Sequence, residues 1–129
     1  LCRVCDFVRE GLPFLSTHPD YNWPTETGFI PDAGAIHAFI RASAGREPDH
    51  IIGKPNRDIM DYLVAREGVD KARTAMVGDR LYTDVAAGVN NGYTGILVLS
   101  GEATMEDVKV SDVEPDLIFD SVKDMILFL

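Results

Sequence analysis

Apolar residues recur along this chain first at helical spacing and then in short runs separated by helical stretches. Leu1, Val4, Cys5 and Val8 predict a helix over residues 1–10, stopped by Gly11. The apolar run 12–17 predicts a short strand, and the following segment, 18–24, with Pro19 and Pro24, reads as a turn-rich loop. Ile36, Phe39 and Ile40 share one face of a helix predicted over residues 35–44, ahead of Gly45. His37 falls between these apolar neighbours, where a packed or solvent-edge histidine is expected rather than a ligand, and is assigned no role.

From Asp49 onward the texture changes to alternating short strands and helices, the pattern of βαβ units and a parallel sheet. The change near Arg46-Glu47-Pro48 predicts two parts, 1–47 and 48–129. In the second part a strand over residues 50–53 ends at Lys54-Pro55. Asn56 is expected to cap a helix that buries Ile59, Met60, Leu63 and Val64 and closes at Gly68. Met76 and Val77 lie on a central strand that runs into Gly78-Asp79. Thr83 is expected to cap the next helix, which begins with Asp84, passes through Val85 and Val89, and stops at Gly92. A third strand covers residues 93–99, Ser100-Gly101 turns the chain, and Thr104 to Asp107 has the arrangement of a capping box. The last strand covers residues 116–119, and Ser121 opens a helix expected to turn Val122, Met125, Ile126 and Leu129 inward.

The candidate chemistry lies where the central strand ends. In open α/β sheets, ligands sit beyond the carboxyl ends of the strands. Asp79 is at such an end, and Asp84, five residues on, can face the same crevice. A hard divalent cation such as Mg2+ is held by one or two carboxylates, several waters and a substrate phosphate, which suits this pair. The plainer alternative is a loop acid followed by an acid that favours the positive end of a helix. Lys54 ends a neighbouring strand and supplies a movable point charge for phosphate. An ammonium on one side and a metal on the other would stabilise the oxygens of a transferring phosphoryl group.

Charge narrows the partners. Of 129 residues, 21 are acidic and 12 basic, a net charge of -9 that argues against nucleic acid. No apolar run reaches the roughly 20 residues of a membrane helix and no signal peptide opens the chain, so a soluble, cytoplasmic protein is expected. Cys2 and Cys5 have redox or zinc half-site spacing, but further ligands are missing and helical packing is the expected use. No Gly-x-Gly-x-x-Gly joins a strand to a helix, which disfavours a dinucleotide fold.

Gly53-Lys54-Pro55, followed by Val77-Gly78-Asp79-Arg80 through Thr83-Asp84, resembles the third and fourth motifs of the haloacid dehalogenase-like (HAD) hydrolases. Thr17-His18-Pro19-Asp20, with Pro24, Gly28, Pro31 and Gly34, looks like the end of the cap in the p-nitrophenyl-phosphatase, or NagD-like, branch. The resemblance implies an α/β fold with a Rossmann-like parallel core and the remnant of an α/β cap at the N-terminus. It implies a Mg2+-dependent phosphatase acting on a small phosphorylated metabolite through an aspartyl-phosphate. Lys54 would stabilise the phosphoryl group, Asp79 would be the metal ligand, and Asp84 would secure that end of the metal site. Arg80 and Thr83 would lie near the phosphate, and His18 and Asp20 would face the leaving group. Sugar phosphates, nucleotides and aryl phosphates all remain open as substrates.

The departures are specific. The family nucleophile belongs to an Asp-x-Asp motif on the first core strand, and no Asp-x-Asp occurs in this sequence. His18 stands where the family usually has asparagine, and Asp32-Ala33 depart from the usual Pro-Gly turn. The chain therefore reads as the carboxyl-terminal part of such an enzyme, comprising the end of the cap and the second half of the core. In the family's sheet, two missing strands would lie between the strand ending at Lys54 and the strand ending at Asp79. Their edges are expected to be satisfied by a complementing N-terminal part, by direct pairing of the remaining strands, or by pairing between copies in a homo-oligomer. The alternative function is a noncatalytic α/β module that binds Mg2+, a phosphate ligand or a partner.

Overall fold

The computed structural model describes residues 1–126 and divides the chain into two compact units, Leu1–Gly53 and Lys54–Leu129. In the first unit, α1 (Cys2–Arg9) and α2 (Ala33–Ala44) bury Cys5, Val8 and Ile40 around Phe14, with Ala44 at the edge. Leu1, Val4, Ile36 and Phe39, predicted for the same faces, are 41–72% exposed. Asp32 caps α2, its Oδ1 accepting from the Ala33 N–H at 2.8 Å, and Gly45 ends the helix in the left-handed conformation. The predicted strand over residues 12–17 contracts to β1 (Leu15–Ser16), which pairs in parallel with β4 (His50–Ile51). Pro13 has no N–H to give, and the Phe14 N–H is taken at 2.8 Å by the Asp49 carboxylate.

The segment read as a loop, 18–24, is a loop through residue 21 and then enters a hairpin. β2 (Asn22–Thr25) pairs antiparallel with β3 (Gly28–Pro31), Trp23 opposite Ile30 and Pro24 opposite Phe29. Pro24 and Pro31 are tolerated because neither strand of this isolated ribbon is central. Every residue of the ribbon is exposed.

In the second unit, β5 (Ala75–Gly78), β6 (Thr94–Val98) and β7 (Leu117–Phe119) form a parallel sheet in that order. β6 lies in the middle and four of its five residues are buried. Between β5 and β6 the chain forms one helical stretch, a π turn over Leu81–Val85 that continues into α4 (Ala86–Val89). Leu81 and Val85 from this stretch close on Leu97 of β6 and on Ala103, flanked by Val89, Leu99, Val108 and Val113. The helix lies close to the sheet because Gly88 faces Gly95. A Cβ on Gly88 would come within 2.9 Å of the Gly95 Cα.

Several expected details change. α3 (Asp58–Glu67) is preceded by Arg57 at its cap position with no side-chain cap, and Asn56 lies in the turn after the cis Lys54–Pro55 peptide. Met60 is buried, whereas Ile59 and Leu63 are exposed, since no described element covers that side. Thr83 does not cap its helix. Arg80 is the cap residue, and Thr83 and Asp84 lie inside the π turn. α5 (Met105–Val110) has the expected capping box, with Thr104 Oγ1 accepting from the Asp107 N–H and Asp107 Oδ2 accepting from the Thr104 N–H. On α6 (Val122–Met125) and just after it, Val122 and Ile126 are exposed rather than inward, and Leu129 lies outside the described residues.

Among the described residues, β4 pairs with β1 alone. Among the described residues β5 has one strand partner, β6, and its other edge has none. No described helix is long and apolar enough to cross a membrane.

Candidate functional site

Parallel pairing brings the ends of β5 and β6 level, Gly78 opposite Leu97, so the loops that follow them meet. The first of these loops carries Asp79 and the second carries Gly101 and Glu102. Asp79 Oδ2 accepts the Glu102 N–H at 2.9 Å, and the Asp79 carbonyl accepts the Ala103 N–H at 3.0 Å. Its other carboxylate oxygen has no protein partner among the described residues.

Asp84 reaches the same strand end by folding back against Gly78. The Arg80 carbonyl accepts from both the Asp84 and Val85 N–H groups, at 3.0 and 3.1 Å, and this wide turn directs Thr83 and Asp84 inward. A side chain at position 78 would not fit, because a Cβ there would lie 2.2 Å from the Asp84 Cβ. Asp84 is only 6% exposed, and its Oδ1 is paired with the Lys54 ammonium. A buried carboxylate is tolerable when paired in this way. The Lys54 side chain is 43% exposed, so its charge still faces solvent.

Arg80 turns toward the second loop, its Nε donating to Glu102 Oε2 at 2.7 Å, while the Tyr82 hydroxyl donates to Glu102 Oε1 at 3.2 Å. Thr83 is 4% exposed. The structure therefore gathers Lys54, Asp84, Asp79 and Arg80 around the end of β5, with Thr83 buried in the π turn that follows. Sequence reasoning missed Glu102, although it follows Ser100-Gly101 at a strand's carboxyl end, the same position that drew attention to Asp79.

His18 and Asp20 belong to the first unit. His18 Nε2 lies 3.5 Å from Asp32 Oδ1 and its Nδ1 lies 3.8 Å from Asp20 Oδ2, so the imidazole stands between two carboxylates. Asp32 is the partner that sequence reasoning left without a role. Nearby, His37 Nε2 is 2.6 Å from the Ser16 hydroxyl and its ring meets Phe14 edge-on, the packed environment expected for it. Burial, with the neighbouring His18, lowers its pKa from the ordinary 6.5.

The donor chemistry at the end of β5 fits a hard divalent cation. It offers carboxylate oxygens, two of them (Asp79 Oδ1 and Asp84 Oδ2) without a hydrogen-bond partner among the described residues, and Gly78 and Gly101 keep both acids free of neighbouring Cβ atoms. Among the described residues, no cluster of three or more His, Cys, Asp or Glu side chains completes a cage. Such a site would leave coordination positions for water and substrate.

Residues 51–125 match the family described as HAD-hydrolase-like. The chain is 41% identical over 119 residues to the acid sugar phosphatase of Staphylococcus aureus strain MRSA252, covering 92% of this chain and 46% of that protein. Among solved structures it resembles the 4-nitrophenylphosphatase of Thermotoga maritima, with 49% identity and a TM-score of 0.87, covering 93% of this chain and 46% of that one. It also resembles a p-nitrophenyl phosphatase from Archaeoglobus fulgidus, with 36% identity and a TM-score of 0.90, covering 99% and 51%. The chain spans about half the length of the curated relatives it matches.

Proposed function

Because the chain belongs to the HAD-hydrolase-like family, we propose that it supplies the lysine and the metal-holding carboxylates of a Mg2+-dependent phosphatase acting on small phosphomonoesters. The observation that carries this reading is the Lys54–Asp84 ion pair beside Asp79 at the carboxyl end of β5. Asp84 fixes the ammonium where it can meet a phosphoryl oxygen. Asp79 offers its unpartnered oxygen to the cation, and Asp84 secures the same end of the site. Mg2+, when bound, neutralises charge on the phosphate. The likeness to an acid sugar phosphatase and a 4-nitrophenylphosphatase favours a sugar phosphate or another small phosphorylated metabolite as substrate. In the first unit, read as the end of a cap, His18 and Asp20 would meet the leaving group.

The attacking carboxylate is not in this sequence, which contains no Asp-x-Asp. Covalent phosphoryl transfer then needs a complementing part that brings the nucleophile and pairs the second edge of β5. The same absence favours a second reading for the chain alone, a noncatalytic module that holds Mg2+ or a phosphate ligand. The test is hydrolysis of p-nitrophenyl phosphate with Mg2+ by this chain, by the product of the complete reading frame, and by Asp79→Asn in each. Hydrolysis by the complete product alone, lost in Asp79→Asn, supports the phosphatase reading. Hydrolysis by neither would leave the binding module.

A further inference from the structure

One residue of the loop after β6 reaches three groups of the loop after β5. Glu102 gives its main-chain N–H to Asp79 Oδ2, and its carboxylate takes the Arg80 Nε–H and the Tyr82 hydroxyl. The approach depends on Gly101, where a Cβ would lie 2.0 Å from Asp79 Oδ2. Ser100, Gly101 and Glu102 are otherwise exposed, so little packing holds this loop down. The Arg80 side chain is 24% exposed and that of Glu102 47%, so their pair ties an exposed loop to a half-buried arginine.

We propose that Glu102 is a positioning residue for the cation site. Its side chain clasps Arg80 and Tyr82, which holds its own N–H on Asp79 Oδ2 and turns the other Asp79 oxygen toward the metal. Arg80 thereby serves as the anchor of the clasp rather than as a phosphate ligand. The inference rests on the reading of Asp79 as a metal-holding carboxylate. Groups that orient a metal ligand without touching the metal commonly change affinity by about 10–100-fold when removed.

The test titrates Mg2+ alone, by calorimetry, into the product of the complete reading frame and into its Glu102→Ala and Glu102→Gln variants, with thermal unfolding recorded without Mg2+. Glu102→Ala should weaken Mg2+ binding about tenfold. Glu102→Gln, which keeps an acceptor oxygen but loses the charge-assisted bond, should weaken it less. KM for p-nitrophenyl phosphate at saturating Mg2+ should not fall in either variant. Mg2+ affinity equal to wild type in Glu102→Ala, or in Glu102→Gln should the alanine variant fail to fold, would overturn the clasp while leaving the phosphatase reading intact. A lowered KM would show that Arg80, once released, binds phosphate, and would also overturn it. A wild-type protein that neither binds Mg2+ nor hydrolyses the ester would overturn the phosphatase reading and the clasp with it.

Discussion

Gly78 and Asp84 divide one small space between them, for the Cβ that Gly78 lacks would stand 2.2 Å from the Cβ of Asp84 and 2.5 Å from its Oδ2. The absent side chain is what allows a buried acid to lie against the end of a strand. Gly78→Ala should therefore push Asp84 off its position. We expect a stability loss of about 1–3 kcal/mol by urea unfolding, the usual range for overpacking. Phosphatase activity of the complete protein should fall with it. An alanine variant as stable and active as wild type would mean that Asp84 can move at little cost.

The Lys54–Asp84 pair should show the asymmetry of buried charges. Lys54→Met leaves the Asp84 carboxylate, whose side chain is 8% exposed, without its ammonium. The expected loss is about 1–3 kcal/mol, less than for a fully buried pair because Lys54 is partly in solvent. Adding Asp84→Asn removes the stranded charge and should restore part of the stability, but no activity. Denaturant titration of the two variants decides the matter, and equal stability in both would show that the pair is not what keeps Asp84 buried.

His37 should make the first unit sensitive to mild acid. Its folded pKa lies below the ordinary 6.5, through burial first and the neighbouring His18 second, against the opposing Glu47. As pH falls, the unfolded chain takes up this proton before the folded one. Stability contributed by neutral His37 is therefore complete above about 6.5 and is lost as pH drops toward the folded value. An NMR titration of the His37 ring should give a midpoint below 6.5, and a midpoint above it would contradict the packed environment beside Ser16 and Phe14.

The parallel sheet was legible because Met76, Val77 and the run from Tyr93 to Leu99 are apolar and followed by glycines, the pattern that burial on both faces sets in β6. The capping box at Thr104 was legible for a similarly local reason, since its hydrogen bonds span only three residues. The hairpin at Asn22–Thr25 and Gly28–Pro31 was not, because prolines that break central strands are harmless in an exposed ribbon. Thr83 was misread as a cap because sequence spacing does not reveal that the turn widens to π geometry. The inward faces assigned to Ile59, Leu63, Val122 and Ile126 follow from periodicity alone, which says that a face is apolar but not what covers it. At the site, Lys54, Asp79 and Asp84 stood out as charges at strand ends. Glu102 did not, because its significance comes from two parallel strands ending level.

On the proposed reading of the site, the paired charges around β5 set an order of arrival. Lys54 pairs with Asp84 and Arg80 with Glu102, while the Asp79 carboxylate pairs with no cation among the described residues. A phosphate ester that comes first meets net repulsion, whereas a divalent cation that comes first meets attraction and reverses the local sign. Loading is then sequential, with the cation as the admission step. On the same reading, a chelator would abolish retention of the ester before any bond to phosphorus is at stake.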